Sequence, residues 1–179
     1  MNGAGGMLRV DDLRRAIAAG VPGCTARVRV LDGVSLGVGA GELVCVTGAP
    51  GAGKTVLLLC AAGLARADAG AVRWRGRAAA AGGRVYLRAA ELASRRGRTL
   101  AAGARLLLLD DADGPEAALL AAAWRSSGAA VLAAARDPRA LAAAGARVLV
   151  LRAGRLERAH ARVMPVRTAR VAEPEDALR

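Results

Sequence analysis

Between residues 27 and 151 the chain alternates short apolar or β-branched runs with longer Ala- and Leu-rich stretches of helical spacing. RVRVL (27–31) and VSLGV (34–38) read as strands, and the fully apolar LVCVT (43–47) as a strand buried on both faces. A glycine-rich turn follows, and KTVLLLCAAGLA (54–65) has the spacing of a helix that stops near Gly63. Beyond a DAG turn, AVRWR (71–75) and RVYL (84–87) read as strands, and the Ala- and Arg-rich 88–102 as helical. RLLLLD (105–110) predicts another buried strand, and PEAALLAAAWR (115–125) a helix with proline in its first turn. AAVLAAA (129–135) and ARVLVL (146–151) predict two further buried strands, separated by the helical PRALAAA (138–144). Strands alternating with helices predict an α/β fold, a mostly parallel sheet with helices on both faces. From about Ala161 the pattern dissolves into Pro, Arg and Glu, so one domain is expected over 1–160 and a loose tail over 161–179. No internal repeat is visible.

Composition sharpens this picture at a few positions. The chain is 54% hydrophobic, but 46 of its 179 residues are alanine, so its core must be built from small side chains. Phe and Gln are absent, and Asn2, Ile17, Lys54 and His160 are each the only residue of their kind. The chain has drifted toward Ala, Arg and Gly wherever a position tolerates it, which makes the exceptions informative. Lys54 is the clearest, the single lysine beside 26 arginines.

The net charge of +12 raises nucleic acid as a partner. The arginines are scattered, however, and Trp74, Tyr86 and Trp124 do not interleave with a basic run to make a base-stacking platform. No specific nucleic acid is expected; an acidic partner or an anionic membrane surface stays open. Cys24, Cys45 and Cys60 form no CxxC pair and lie in apolar segments, as buried reduced thiols of a cytoplasmic protein would. No apolar run reaches the roughly 18 residues of a membrane span. RRAIAAGVPGC (14–24) imitates an export signal, but its apolar part is shorter than the roughly 7 residues a signal core needs.

GAPGAGKT (48–55) fits G-x-x-x-x-G-K-[ST] at every specified position, after an apolar strand and opening a helix. The chemistry explains the spacing. Gly48, Gly51 and Gly53 let the backbone turn its N–H groups inward as an anion nest, through Ala49, Pro50 and Ala52 and on to Val56. The helix beginning at Lys54 adds its positive end. Lys54 then reaches the β- and γ-phosphates of a nucleotide such as ATP, and the Thr55 hydroxyl ligates Mg²⁺. A guanidinium is too long and too planar for that inside position, so Lys54 survived the drift to arginine.

LLLLDD (106–111) supplies the second half of a nucleotide site. Asp110, at the end of a buried strand, is placed to hold Mg²⁺ through its water shell, and Asp111 to orient or polarise the attacking water. The bland alternative is an acidic pair that caps the next helix.

The surroundings carry a family resemblance. LDGVSLGVGAGELVCVTGAPGAGKTVLLLCAAGLARADAGAVRWRGR (31–77) closely resembles the first part of an ABC-transporter ATPase, including positions outside the phosphate loop. RLLLLDD…GAAVLAAARDP…ARVLVLRAGRL (105–156) resembles the end of such a cassette. The resemblance covers about residues 8–158 with a gap, and it implies an added N-terminal antiparallel β part. Asp110 follows Lys54 by only 56 positions, fewer than in full cassettes. The family's helical subdomain, with its LSGGQ signature, is therefore largely deleted within 78–104. One alignment puts YLRAA (86–90) where the signature belongs; the other makes RVYLR (84–88) the strand before the Q-loop, with Arg88 in place of Gln. The switch histidine falls at Arg136, which either presents charge to the γ-phosphate like an arginine finger or is one more product of the arginine drift. Asp111 stands where the family has Glu. The adenine-stacking aromatic, due near residues 13–20, is missing.

The resemblance implies an ATP- and Mg²⁺-binding subunit coupled to a membrane permease. Hydrolysis would be weak or dependent on a second cassette, and the chain cytoplasmic or peripheral at the inner face of the membrane. Two other classes stay open: a non-hydrolysing nucleotide switch, and a small-molecule P-loop kinase, against which the long N-terminal lead-in argues.

Overall fold

The computed structural model describes residues 6–21, 24–74 and 83–158. Two sheets are stacked through a shared core. Strands β1 (Gly6–Val21), β2 (Cys24–Gly39) and β4 (Ala69–Trp74) form an antiparallel sheet in the order β2-β1-β4. A six-stranded sheet runs β5 (Arg84–Arg88), β6 (Leu106–Asp110), β7 (Ala130–Ala134), β3 (Leu43–Thr47), β8 (Arg147–Arg152) and β9 (Arg155–Arg158). Its first five strands are parallel, and β9 returns antiparallel on β8.

Strand parity sorts the core. Val44, Val46, Leu106, Leu108, Leu132 and Ala134 face α1 (Lys54–Ala62) and the inner side of the antiparallel sheet. Leu43, Cys45, Leu107, Leu109, Val131 and Ala133 face the opposite way. There they meet α2 (Ala89–Ala93), α3 (Arg95–Ala101), α4 (Gly114–Ser126) and α5 (Arg139–Ala143). The continuous apolar runs are thus strands covered on both sides. Burial pushes the Cys45 thiol up to about 12, which leaves it inert packing. Cys60 is also a free, buried thiol.

The predicted α/β architecture and most elements are present, and the differences are local. Residues 27–31 and 34–38 are not two strands but parts of one, β2. Of the segment 14–24, residues 14–21 belong to β1 and Cys24 begins β2, and the two strands pair. The helical stretch expected over 88–102 is two short helices. Glu91 accepts the Arg88 amide at the start of α2, and the Ser94 hydroxyl accepts the Gly97 amide at the start of α3. The tail 161–179, His160 and residues 78–82 lie outside the described residues.

The corner between α2 and α3 is tight. A Cβ on Gly97 would stand 1.8 Å from the Glu91 carbonyl oxygen. Alanine normally favours a helix over glycine by about 1 kcal/mol. Here the clash outweighs that gain, and Gly97→Ala should destabilise the protein by about 1–3 kcal/mol in urea unfolding. A variant as stable as wild type would show that the corner has room to open.

Candidate nucleotide site

The carboxyl ends of β3, β6 and β7 lie along one edge of the parallel sheet, where α/β folds hold their ligands. From this edge rise the loop after β3, the Asp110–Asp111 pair and the turn holding Arg136.

The first loop, Gly48 to Gly53, is clamped from two sides. Gly48 has φ 153°, and a Cβ there would lie 2.3 Å from the Leu151 carbonyl oxygen in β8. Gly53 has φ 99°, and its Cβ would lie 2.7 Å from Val30 Cγ1 and 2.9 Å from Val30 O in β2. Only a residue without a side chain permits both approaches. The Gly53 carbonyl accepts the Leu57 amide at 2.9 Å and so begins α1, while Ala52 donates to Ala49 O at 3.1 Å within the loop. The Lys54 ammonium folds back across the loop, donating to Gly48 O at 2.7 Å and Ala49 O at 3.1 Å. Ala49, Pro50, Gly51 and Thr55 are exposed, and Ala52, Lys54 and Val56 half-buried. A glycine-rich loop that runs into the N-terminus of a nine-residue helix suits an anion.

Asp110 is buried, at 3% exposure. Its parity places it on the α1 face of β6, with Leu106 and Leu108. Oδ1 accepts the Asp111 amide at 3.0 Å, and Oδ2 accepts the Tyr86 hydroxyl at 3.0 Å. Burial, then the bond to Asp110 and its charge, push Tyr86 up to about 12, against the pull of Arg88. Asp111 is exposed at φ 50°, a left-handed conformation that aspartate tolerates better than most residues.

Arg136 is tied down. Its amide and that of Asp137 both donate to Asp113 Oδ1 at 2.9 Å, and its Nε donates to Asp113 Oδ2 at 3.2 Å. Its carbonyl accepts the Thr47 hydroxyl at 3.1 Å. Burial works to raise the Asp113 carboxyl, but these donors outweigh it and hold Asp113 below the usual carboxylate range. The turn after β7 is thereby fastened both to β3 and to the start of α4.

The edge thus gathers all the residues expected from the sequence, although among the described residues no hydrogen bond or ion pair joins Asp111 or Arg136 to the 48–56 loop. Sequence reasoning missed Tyr86, Asp113 and Thr47. Tyr86 carried a signal, being the only tyrosine. Asp113 carried another, since an acid two residues before Pro115 marks a helix start. Arg88 pairs in register with Asp110, which settles residues 84–88 as the strand beside β6. A polar hollow of about 520 Å³, lined by Arg14, Arg29, Asp32 and Arg155 among others, lies where the antiparallel sheet meets β9, and there Asp32 already pairs with Arg29 and Arg155.

Among the described residues no three His, Cys, Asp or Glu side chains converge as a metal cage, and no helix is long and apolar enough to cross a membrane. Mg²⁺ asks for less than a cage, since it takes one or two protein oxygens and completes its shell with water and phosphate. The hard oxygens of Asp110 and Thr55 suit it.

Residues 31–99 match the ABC transporter family. The methionine import ATP-binding protein MetN of Rhizobium etli is 39% identical over 71 residues, 40% of this chain and 18% of that protein. The cytochrome c biogenesis ATP-binding export protein CcmA of Cupriavidus necator is 41% identical over 78 residues, 44% of this chain and 34% of that protein. The chain therefore spans between about a fifth and a third of the length of these relatives. Among solved structures, an ATP-binding cassette of an ABC transporter in its ADP conformation superposes with a TM-score of 0.67 at 14% identity, covering 86% of this chain and 90% of that one. A dimeric cassette in a post-hydrolysis state, bound to ADP and phosphate, gives 0.65 at 16% identity, covering 85% and 97%. At these identities the likeness speaks for the fold.

Proposed function

We propose, for a chain whose residues 31–99 match the ABC transporter family and whose described residues take the fold of an ATP-binding cassette, that it binds ATP and Mg²⁺ at this edge as the nucleotide-binding subunit of a membrane transporter. The observation that carries the reading is the Lys54 ammonium, held over a loop clamped between β2 and β8 at the head of α1. The loop amides and Lys54 take the phosphates; Thr55 and Asp110 would hold the cation, which neutralises phosphate charge. A permease and a second cassette are the expected partners, and hydrolysis is weak or waits on that second cassette.

A second reading, a non-hydrolysing switch in which ATP orders the chain, draws support from one observation. Arg136, at the position the resemblance gives to the switch histidine, donates its Nε to Asp113.

Recognition rests on the phosphates more than on the base. The stretch 13–20 forms the outer half of β1 and offers no ring for adenine to stack on. Base stacking elsewhere is worth about 1–3 kcal/mol, so its loss leaves little discrimination. By calorimetry, ATP and GTP should bind within about tenfold of one another, a gap of about 1.4 kcal/mol. No binding of either nucleotide with Mg²⁺ present would overturn the reading, and a strong preference for ATP would reveal a base pocket.

A further inference from the structure

We propose that Tyr86 is a positioning residue for the divalent cation: its hydroxyl fixes the Asp110 carboxylate in the orientation that receives the metal of the bound nucleotide. The inference rests on the nucleotide-binding reading above and adds a residue to it.

Three observations carry it. First, β5 and β6 are parallel, with Tyr86 in register with Leu108, two residues before the end of β6. Tyr86 packs against the core cluster on the α1 face, the face to which Asp110 belongs by parity. The phenol thus spans the last two residues of its neighbour strand and delivers its hydroxyl to Asp110 Oδ2 at 3.0 Å. Second, Oδ1 is held separately by the Asp111 amide at 3.0 Å. With one donor on each oxygen, the carboxylate cannot rotate without breaking a bond. Third, each oxygen accepts about two hydrogen bonds in all. Both therefore keep a free acceptor direction for a cation or its water, and that direction is set by the two donors. Mg²⁺ demands near-ideal octahedral geometry, so a carboxylate free to turn loses more with it than with a looser cation. Groups that orient a metal ligand in this way typically change metal affinity by about 10–100-fold when removed.

A purely structural tyrosine would satisfy the buried carboxylate and do nothing to the metal, and the experiment separates the two roles. Tyr86→Phe keeps the ring and removes only the hydroxyl. Mn²⁺ titrated into ATP-saturated protein and followed by electron paramagnetic resonance should bind about tenfold more weakly to the variant, while ATP affinity in EDTA stays the same in both proteins. Because Tyr86 is the only tyrosine, its phenol ring band in ultraviolet resonance Raman, which the two tryptophans do not share, offers a second readout on the wild type alone. The band should move when Mg²⁺ is added to ATP-loaded protein, return with EDTA, and ignore ATP added in EDTA. Equal Mn²⁺ affinity in a folded variant overturns the assignment; where the variant does not fold, a tyrosine band unmoved by Mg²⁺ overturns it. Wild-type protein that binds no ATP at all overturns the nucleotide-binding reading instead, and the Tyr86 role falls with it.

Discussion

Lys54→Ala protein should show no ATP binding by calorimetry at concentrations that saturate the wild type, and Lys54→Arg should come close to the same result. An ammonium has three donors on one small centre, and two of them are engaged by the carbonyls of Gly48 and Ala49 at 2.7 and 3.1 Å. The head of the side chain is therefore already positioned over the loop, and phosphate oxygens need only take over its bonds. Hydrogen bonds to a charged group contribute about 1.5–3 kcal/mol each, so losing two of them costs a factor of a hundred or more in affinity. A guanidinium keeps the charge but spreads its donors over a rigid planar fork on a longer reach. It cannot occupy a seat between two carbonyls of the same tight turn. Wild-type affinity in Lys54→Arg would mean that the only lysine of this arginine-rich chain was retained for some other reason.

Phosphate release by the isolated chain should stay at or near background, measured against Asp111→Asn protein as the blank. That change removes the candidate base and leaves Asp110 for the cation. Asp111, the proposed base, is one methylene shorter than glutamate, exposed and set at φ 50°. The Arg136 side chain is drawn toward Asp113 through its Nε. The α2–α3 segment contains no Ser-Gly-Gly. Removing one preorganised contact to a transition state commonly costs about 10²–10³ in rate, and such losses are not multiplied when the groups act as a unit. Even one leaves a slow enzyme. Turnover clearly above the blank, in protein freed of other cassettes, would make Asp111 or Arg136 a working catalytic group.

The sequence revealed β3, β6 and β7 because they are buried on both faces and read as unbroken apolar runs; β8 reads the same way, although Val148 and Val150 are only half-buried. It hid β1 for a physical reason. Val10 and Leu13 both face the core, but the register shifts between them at Asp11 and Asp12, with Asp12 at φ 46°. A bulge of this kind flips the parity of a strand, so a period-2 reading loses the thread on either side. Gly33, at φ 77°, interrupts β2 in the same way between Leu31 and Val34, which split one strand into two on paper. The phosphate loop was legible because its chemistry fixes residue types at fixed offsets. Tyr86 on Asp110 and Asp113 on Arg136 were not, since each pair joins loops or strands that only the sheet order brings together.

The two-sided clamp on the phosphate loop also bears on when the site comes into being. Gly48 rests on the Leu151 carbonyl, Gly53 on Val30, and Gly154 at the β8–β9 turn stands close to Val30 O and Asp32 N. The Asp32 amide closes this joint by donating to the Gly154 carbonyl at 2.8 Å. During synthesis from the N-terminus the whole GAPGAGKT motif emerges long before the strand that seats it. A nascent chain at that stage carries the signature without the cradle, and ATP has nothing to hold. Contacts so distant along the chain form late, because their loop-closure entropy is met last. A ligand that recognises only the finished arrangement stabilises it by mass action and leaves the earlier species untouched. ATP would then act as a seal on the completed fold rather than as a template for it.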